Sequence, residues 1–269
     1  MAQRQPALFI PHGGGPWPFM QELGPPGMWG GLRGFLEGIE ASLPAPPKAF
    51  LVVSAHWETE RPTVDADAAP GMLFDYYGFP KHTYALSYPA PGAPELAARV
   101  RALLTDAGVA SDEARGRGFD HGVFIPMMLI HPRADVPVLQ MSLQKGASVA
   151  RHLEIGRALA PLREEDVLII GSGLSYHNLR EFFSGDEAPR AAAKSFDDWL
   201  TQTLLLEESD ARDSRLGEWL DVPGARASHP TPEHLEPLFV IAGAAGQDRA
   251  RRVFHDEFWG KAVSGFAFG

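Results

Sequence analysis

Ala49-Phe50-Leu51-Val52-Val53-Ser54-Ala55-His56-Trp57 decides the reading of the fold: a nearly unbroken apolar, β-branched run that meets an imidazole at its end. A strand covered on both faces has no reason to alternate, so it reads as a continuous apolar stretch. The runs Ala7–Ile10, Val136–Leu143 and Val167–Ile170 share this character. Around them lie segments with helical spacing: Gly31–Leu43, Pro94–Ala107, Val149–Leu162 and Ala191–Leu206. Pro94-Glu95 is a start signal, a proline in the first turn with an acid behind it that suits the positive end of the helix dipole. Strands alternating with helices predict an α/β fold, three-layer α/β/α around a central, mostly parallel (mixed) sheet. No repeat or low-complexity linker divides the chain, so one domain over 1–269 is expected.

The apolar share of 45% in 269 residues provides for a sizeable core. A formal charge of −10 argues against a nucleic-acid partner, which would call for a basic face. No apolar run reaches the roughly 18 residues that cross a bilayer, and Met1-Ala2-Gln3-Arg4-Gln5 lacks a signal peptide's apolar stretch. A cytoplasmic protein without a membrane partner is the expectation. The sequence contains no cysteine, which excludes disulfides, thiolate metal sites and a cysteine nucleophile. Any metal must therefore sit on histidine and carboxylate, and the ten histidines are the inventory.

Three of them follow apolar runs closely: His12 after Ile10, His56 after Ala55, and His177 beyond Val167–Ile170. In an open parallel sheet the carboxyl ends of strands share one edge, where ligands bind. Imidazoles delivered to that edge form a plausible metal cluster. Gly13-Gly14-Gly15 lets backbone come close to whatever His12 faces. In Ser228-His229-Pro230-Thr231-Pro232-Glu233-His234, Thr231 reads as an N-cap and Pro232 as the first helical residue. His234 would then sit in the first turn of a helix running to about Gly246, with His229 and Glu233 as alternative ligands nearby. His121, in Gly118-Phe119-Asp120-His121-Gly122, reads as a turn before a buried helix or as an active-site base or oxyanion donor. His82, His131, His152 and His255 read as structural or solvent-facing. Asp75–Pro94, with Tyr76, Tyr77, Tyr84, Tyr88 and four prolines, reads as a proline-stiffened surface loop or as a wall or lid over a site; the polar Glu207–Ala227 reads as a surface excursion.

Taken in order, these segments resemble a known family, the subunit-B type class III extradiol ring-cleavage dioxygenases, in particular the DOPA 4,5-dioxygenase-like branch. The resemblance is carried by Pro11-His12-Gly13, Val53-Ser54-Ala55-His56-Trp57, Tyr77-Gly78-Phe79-Pro80, Tyr88-Pro89-Ala90-Pro91-Gly92, Gly118-Phe119-Asp120-His121-Gly122, Gly171-Ser172-Gly173 with His177-Asn178-Leu179-Arg180, and Thr231-Pro232-Glu233-His234. It implies a non-haem Fe(II) enzyme that opens catechol-type rings with O2. By motif position it implies His12, His56 and His234 as metal ligands, His177 as catalytic acid/base, and His121 as a second active-site histidine near substrate. A three-imidazole site also suits zinc, so purified protein is expected to accept Zn(II) as well. Gly14-Gly15-Pro16-Trp17 and Leu174-Ser175-Tyr176 depart from the branch beside the site.

Two rivals share some of these residues. His12-Gly13-Gly14-Gly15 matches the oxyanion-hole pattern of α/β-hydrolases, but the nearest nucleophile elbows, around Ser148 and Ser175, lack the closing glycine. A zinc-dependent hydrolase on the same histidines is the closer alternative, since imidazole serves both metals.

Overall fold

The computed structural model describes residues 4–20 and 23–269; Met1–Gln3, part of the stretch read above for a signal peptide, lie outside them. Its strands are β1 (Ala7–Pro11), β2 (Ala49–Thr59), β3 (Thr63–Asp65), β4 (Asp112–Ala114), β5 (Val138–Gln144), β6 (Val167–Gly173), β7 (Ala250–Phe258) and β8 (Lys261–Phe268). They form one sheet in the order β4-β3-β5-β2-β6-β1-β8-β7. The central block β5-β2-β6-β1 is parallel throughout. Antiparallel pairs, β3 with β5 on one side and β1 with β8 and β8 with β7 on the other, make the sheet mixed.

The helices are α1 (Gly30–Ser42), α2 (Pro94–Asp106), α3 (His121–Ile130), α4 (Val149–Leu159), α5 (Glu187–Leu204), α6 (Ser209–Gly217), α7 (Ala225–Ser228) and α8 (Glu236–Ala245). Side chains of the central strands alternate between two cores, as period-2 geometry requires. Phe9, Leu51, Val53, Leu139 and Ile169 face a core shared with α2, α4, α5 and α8. Leu8, Ile10, Phe50, Val52 and Ile170 face a second core shared with α1 and α3. This is the predicted three-layer arrangement. Among the described residues, no helix is long and apolar enough to cross a membrane.

Five expectations need correction. β2 runs on past Ser54, so His56 lies within the strand rather than after it. The pairing of β2 with β5 shifts register between Val53 and Glu58, a bulge that turns His56 out of the ladder. The last helix starts at Glu236 with Pro237 in its first turn, and His234 stands in the turn before it. Thr231 does not cap this helix; its hydroxyl donates to Glu233 Oε1 at 3.0 Å. Segment 207–227 is largely helical rather than an excursion, with Leu216 and Trp219 buried in the core. His121 is the first residue of α3 itself.

Candidate metal centre

Separate segments deliver the five histidines to one end of the sheet. His12 leaves β1 with its backbone N–H still bonded to Gly173 O of β6 at 3.2 Å. The next residue, Gly13, has φ +81°, and a Cβ there would collide with the Trp17 indole. That indole donates to His12 O at 2.8 Å, so the turn after β1 is closed by its own side chain. His56 enters from the β2 bulge, where its N–H donates to Ser54 Oγ at 3.2 Å. His121 enters from the start of α3, and Gly122 beside it leaves room for Ser54 Oγ and the His56 ring, which a Cβ would meet at 2.7 and 3.0 Å. His177 follows β6, its N–H bonded to Ser228 O at 2.9 Å, and His234 O accepts from Leu174 N–H at 2.9 Å.

The rings of His12, His56 and His234 form a near-equilateral triangle, with centroids 4.9, 5.3 and 4.9 Å apart. His121 lies 3.9 Å from His56, and His177 is stacked flat on His234 at 3.3 Å and 13°. Ligand atoms mutually within 4.8 Å fall into two sets, His12 with His56 and His121, and His177 with Glu233 and His234.

Every one of these rings has its Nδ1 backed by oxygen. Ser172 Oγ gives its own proton to Gly122 O, so at 3.3 Å it accepts from His12 Nδ1–H. Asp75 stands beneath two rings, His121 Nδ1 at 2.7 Å and His56 Nδ1 at 3.5 Å. Glu233 does the same for His234 at 3.0 Å and His177 at 3.7 Å. For His12, His121 and His234, donating Nδ1–H to an oxygen fixes the tautomer and leaves the Nε2 lone pair for the cavity, the usual arrangement behind a metal-bound histidine. His56 and His177 have the carboxylate near but not hydrogen-bonded.

Electrostatics favour the neutral form of these rings. Burial first, then the neighbouring imidazoles, holds His12 and His234 well below the ordinary histidine value. His56 is lowered likewise, by burial and then by His121. Burial and His121 bring His177 down to about 4. For Asp75 burial pushes upward, but its hydrogen bonds with His121 and its electrostatic attraction to His121 and His56 prevail and lower it. These buried rings are neutral at pH 7, and neutral imidazole is a metal ligand.

One pair of donors is spaced to share a divalent ion. Two nitrogens on an ion with metal–nitrogen bonds near 2.0–2.1 Å lie about 3.0–3.4 Å apart. His12 Nε2 and His56 Nε2 are 3.1 Å apart. The five rings line a cavity of about 370 Å³, of the size that holds a small ligand. Asp75, Tyr76 and Phe79 form part of its wall, so of the two sequence readings of this loop the wall holds here, and the plain surface loop does not.

Sequence reasoning passed over Asp75 and the network that fixes its neighbours. The fully buried Asp120 accepts from Ser54 Oγ at 2.7 Å, Gln140 Nε2 at 2.6 Å and Arg117 at 3.0 Å, tying β2, β5 and the start of α3 together. Only the pairing Asp120-His121 hinted at it. The remaining histidines do other work. His229 donates from Nε2 to Ser175 O at 2.9 Å and packs on Phe196 and Trp219, outside the cavity. His131 bonds Asp135 at 2.5 Å, His82 meets Phe19 O at 2.9 Å, and His255 faces Ser264 Oγ at 3.1 Å. His152 is buried in α4. The serines of the two imperfect elbows are engaged structurally: Ser148 Oγ caps α4, and Ser175 Oγ accepts from Ser264 N–H at 2.8 Å.

A parallel-centred α/β sheet presenting neutral imidazoles at its carboxyl edge defines a histidine-site metalloprotein class. Within that class, residues 6–266 match the family described as the catalytic LigB subunit of aromatic ring-opening dioxygenase. The chain is 42% identical over 224 residues to the 4,5-DOPA dioxygenase extradiol of Beta vulgaris, covering 81% of each. It is 37% identical over 242 residues to the Escherichia coli protein of the same name, covering 90% of this chain and 85% of that one. The dioxygenase tasH of Hapsidospora irregularis is 37% identical over 279 residues, across 98% of this chain and 85% of its own. A crystal structure of an uncharacterized Escherichia coli protein superposes with a TM-score of 0.79 at 31% identity, covering 99% of this chain and 100% of that one. The chain belongs to the LigB family of aromatic ring-opening dioxygenases.

Proposed function

We propose that the chain is a cytoplasmic, non-haem Fe(II) extradiol dioxygenase, one catalytic domain over 1–269, that inserts both atoms of O2 into a catechol-type aromatic ring. The observation that carries this is the convergence of five histidine rings on one cavity, each with an oxygen near its Nδ1. Relatives named as extradiol dioxygenases support it.

His12, His56 and His234 would hold the metal, since these are the motif positions of the ligands and their rings form the compact triangle. Iron, when bound, supplies the common site at which a catechol and O2 exchange electrons. The chain does the rest. His177 is lowered to about 4, so at pH 7 its Nε2 is free to take a proton from a catechol hydroxyl and return it later. The Glu233 carboxylate behind Nδ1 steadies the ring as it gains charge. His121, its Nδ1–H given to Asp75, has Nε2 left to meet a substrate oxygen. Trp29, Phe79 and Phe182 line the cavity and keep bulk water from the reacting atoms.

An all-nitrogen donor set also favours zinc, so a zinc-dependent hydrolase on the same histidines is the second reading. Metal-free protein loaded anaerobically with Fe(II) or Zn(II) separates the two. The iron form is expected to consume one O2 per ring opened across a catechol panel, and the zinc form none. An iron form inert to every catechol, beside a zinc form that hydrolyses esters or amides, would overturn the dioxygenase reading.

A further inference from the structure

Apart from the histidines, the cavity is lined chiefly by Leu23, Trp29, Phe79, Leu174, Phe182 and Phe183. Its one acid among the described residues, Asp75, is already engaged by His121 and His56. Its described lining includes no lysine or arginine, and none of the five residues outside the described set is one either. Two cations near the site are held elsewhere. Arg117 bonds Asp120 and His56 O at 3.0 and 3.1 Å, and the Lys261 ammonium bonds Ser184 O and Trp259 O. At the mouth Leu179 and Phe183 stand 63% and 59% exposed, an apolar lip in contact with water. Phe183 is braced edge-on against Trp259, with ring centroids 4.7 Å apart, so the lip is a packed feature.

A ring substituent bearing a carboxylate, or the zwitterion of an amino acid, would enter this space without a counter-charge, and its lost hydration would go uncompensated. An alkyl or aryl substituent gains from the same walls. We propose that the substrate is a catechol carrying a neutral, apolar ring substituent rather than a carboxylate or an amino-acid side chain. This rests on the ring-cleavage reading and narrows it, setting the chain apart from relatives named for DOPA.

Three catechols test it: 4-propylcatechol, 3-(3,4-dihydroxyphenyl)propionate, which ends a similar chain in a carboxylate, and L-DOPA. Calorimetry on the Zn(II)-loaded protein reads affinity without turnover, and oxygen uptake by the Fe(II)-loaded protein reads kcat/KM. Propylcatechol is expected to exceed both charged compounds by at least about tenfold in each measurement. Equal or tighter binding of the propionate or of L-DOPA overturns the proposal. Leu179→Arg, which puts a cation at the apolar lip, is expected to raise affinity for the propionate and lower it for propylcatechol; an unchanged preference in that variant also counts against it. If no catechol draws oxygen while the calorimetric order holds, the ring-cleavage reading fails and the account of the pocket stands.

Discussion

His177 and His234 lie face to face, yet the account gives them different work. In the proposed function His234 would complete the ligand triangle, whereas His177, stacked 3.3 Å away, would handle a proton. We therefore predict that His177→Ala lowers turnover by about 10²–10⁴ while iron content holds, because general acid–base help is of that size. His56→Ala should lose both iron and turnover, read by metal analysis of the purified variants. Asp75 orients two rings at once, so Asp75→Asn is predicted to cost about 10–100-fold in metal affinity or activity. Competition with a chelator would measure it, and an unchanged affinity with unchanged activity would remove Asp75 from the site. The histidines were legible in the sequence because each closes a short motif. Asp75 was not, since a lone acid ahead of two tyrosines says nothing about which rings it will underlie.

Elements were legible where an apolar run meets a clear stop, as in β1, β6 and α2, and less so where tertiary pairing decides. β2 outlasts its apolar run because β5 rejoins it after the bulge, at Glu58 with Leu143. The β7–β8 hairpin escaped notice because β7 is largely exposed and polar, Ala250-Arg251-Arg252 being its start, while its Trp259-Gly260 turn needs positive φ at both residues. α4 carries a test of its own. His152 is fully buried there, with no hydrogen-bond partner for either ring nitrogen among the described residues. Burial lowers it to about 4. The unfolded chain takes up that proton near pH 6.5, the folded chain only below about 4, so stability is full above this window and falls as pH drops through it. His152→Leu lacks this loss. Urea unfolding should give the variant an advantage that grows by about 3 kcal/mol between pH 7 and pH 4, and a constant gap would contradict the assignment.

Across the whole molecule, the site exists only as long as the sheet does. The proposed ligand triangle draws on β1, on the bulge of β2 and on the turn before α8, segments brought together by the parallel block and by buried ties far from the cavity. Arg163 is one such tie: it bonds Gln5 O, Ala244 O and Phe268 O and pairs with Asp248 at 2.6 Å, joining the approach to β1, the end of α8 and β8. Sequence patterning could give the layers, and a motif order could give the family, but neither could give these distances. The most direct test is anomalous diffraction from crystals grown with Fe(II) or Zn(II). The account predicts a single peak per chain, bonded to Nε2 of His12, His56 and His234 at about 2.0–2.2 Å, with His121 and His177 near it but unbound. A peak seated between His177 and Glu233, or one that takes His121 in place of His234, would contradict it.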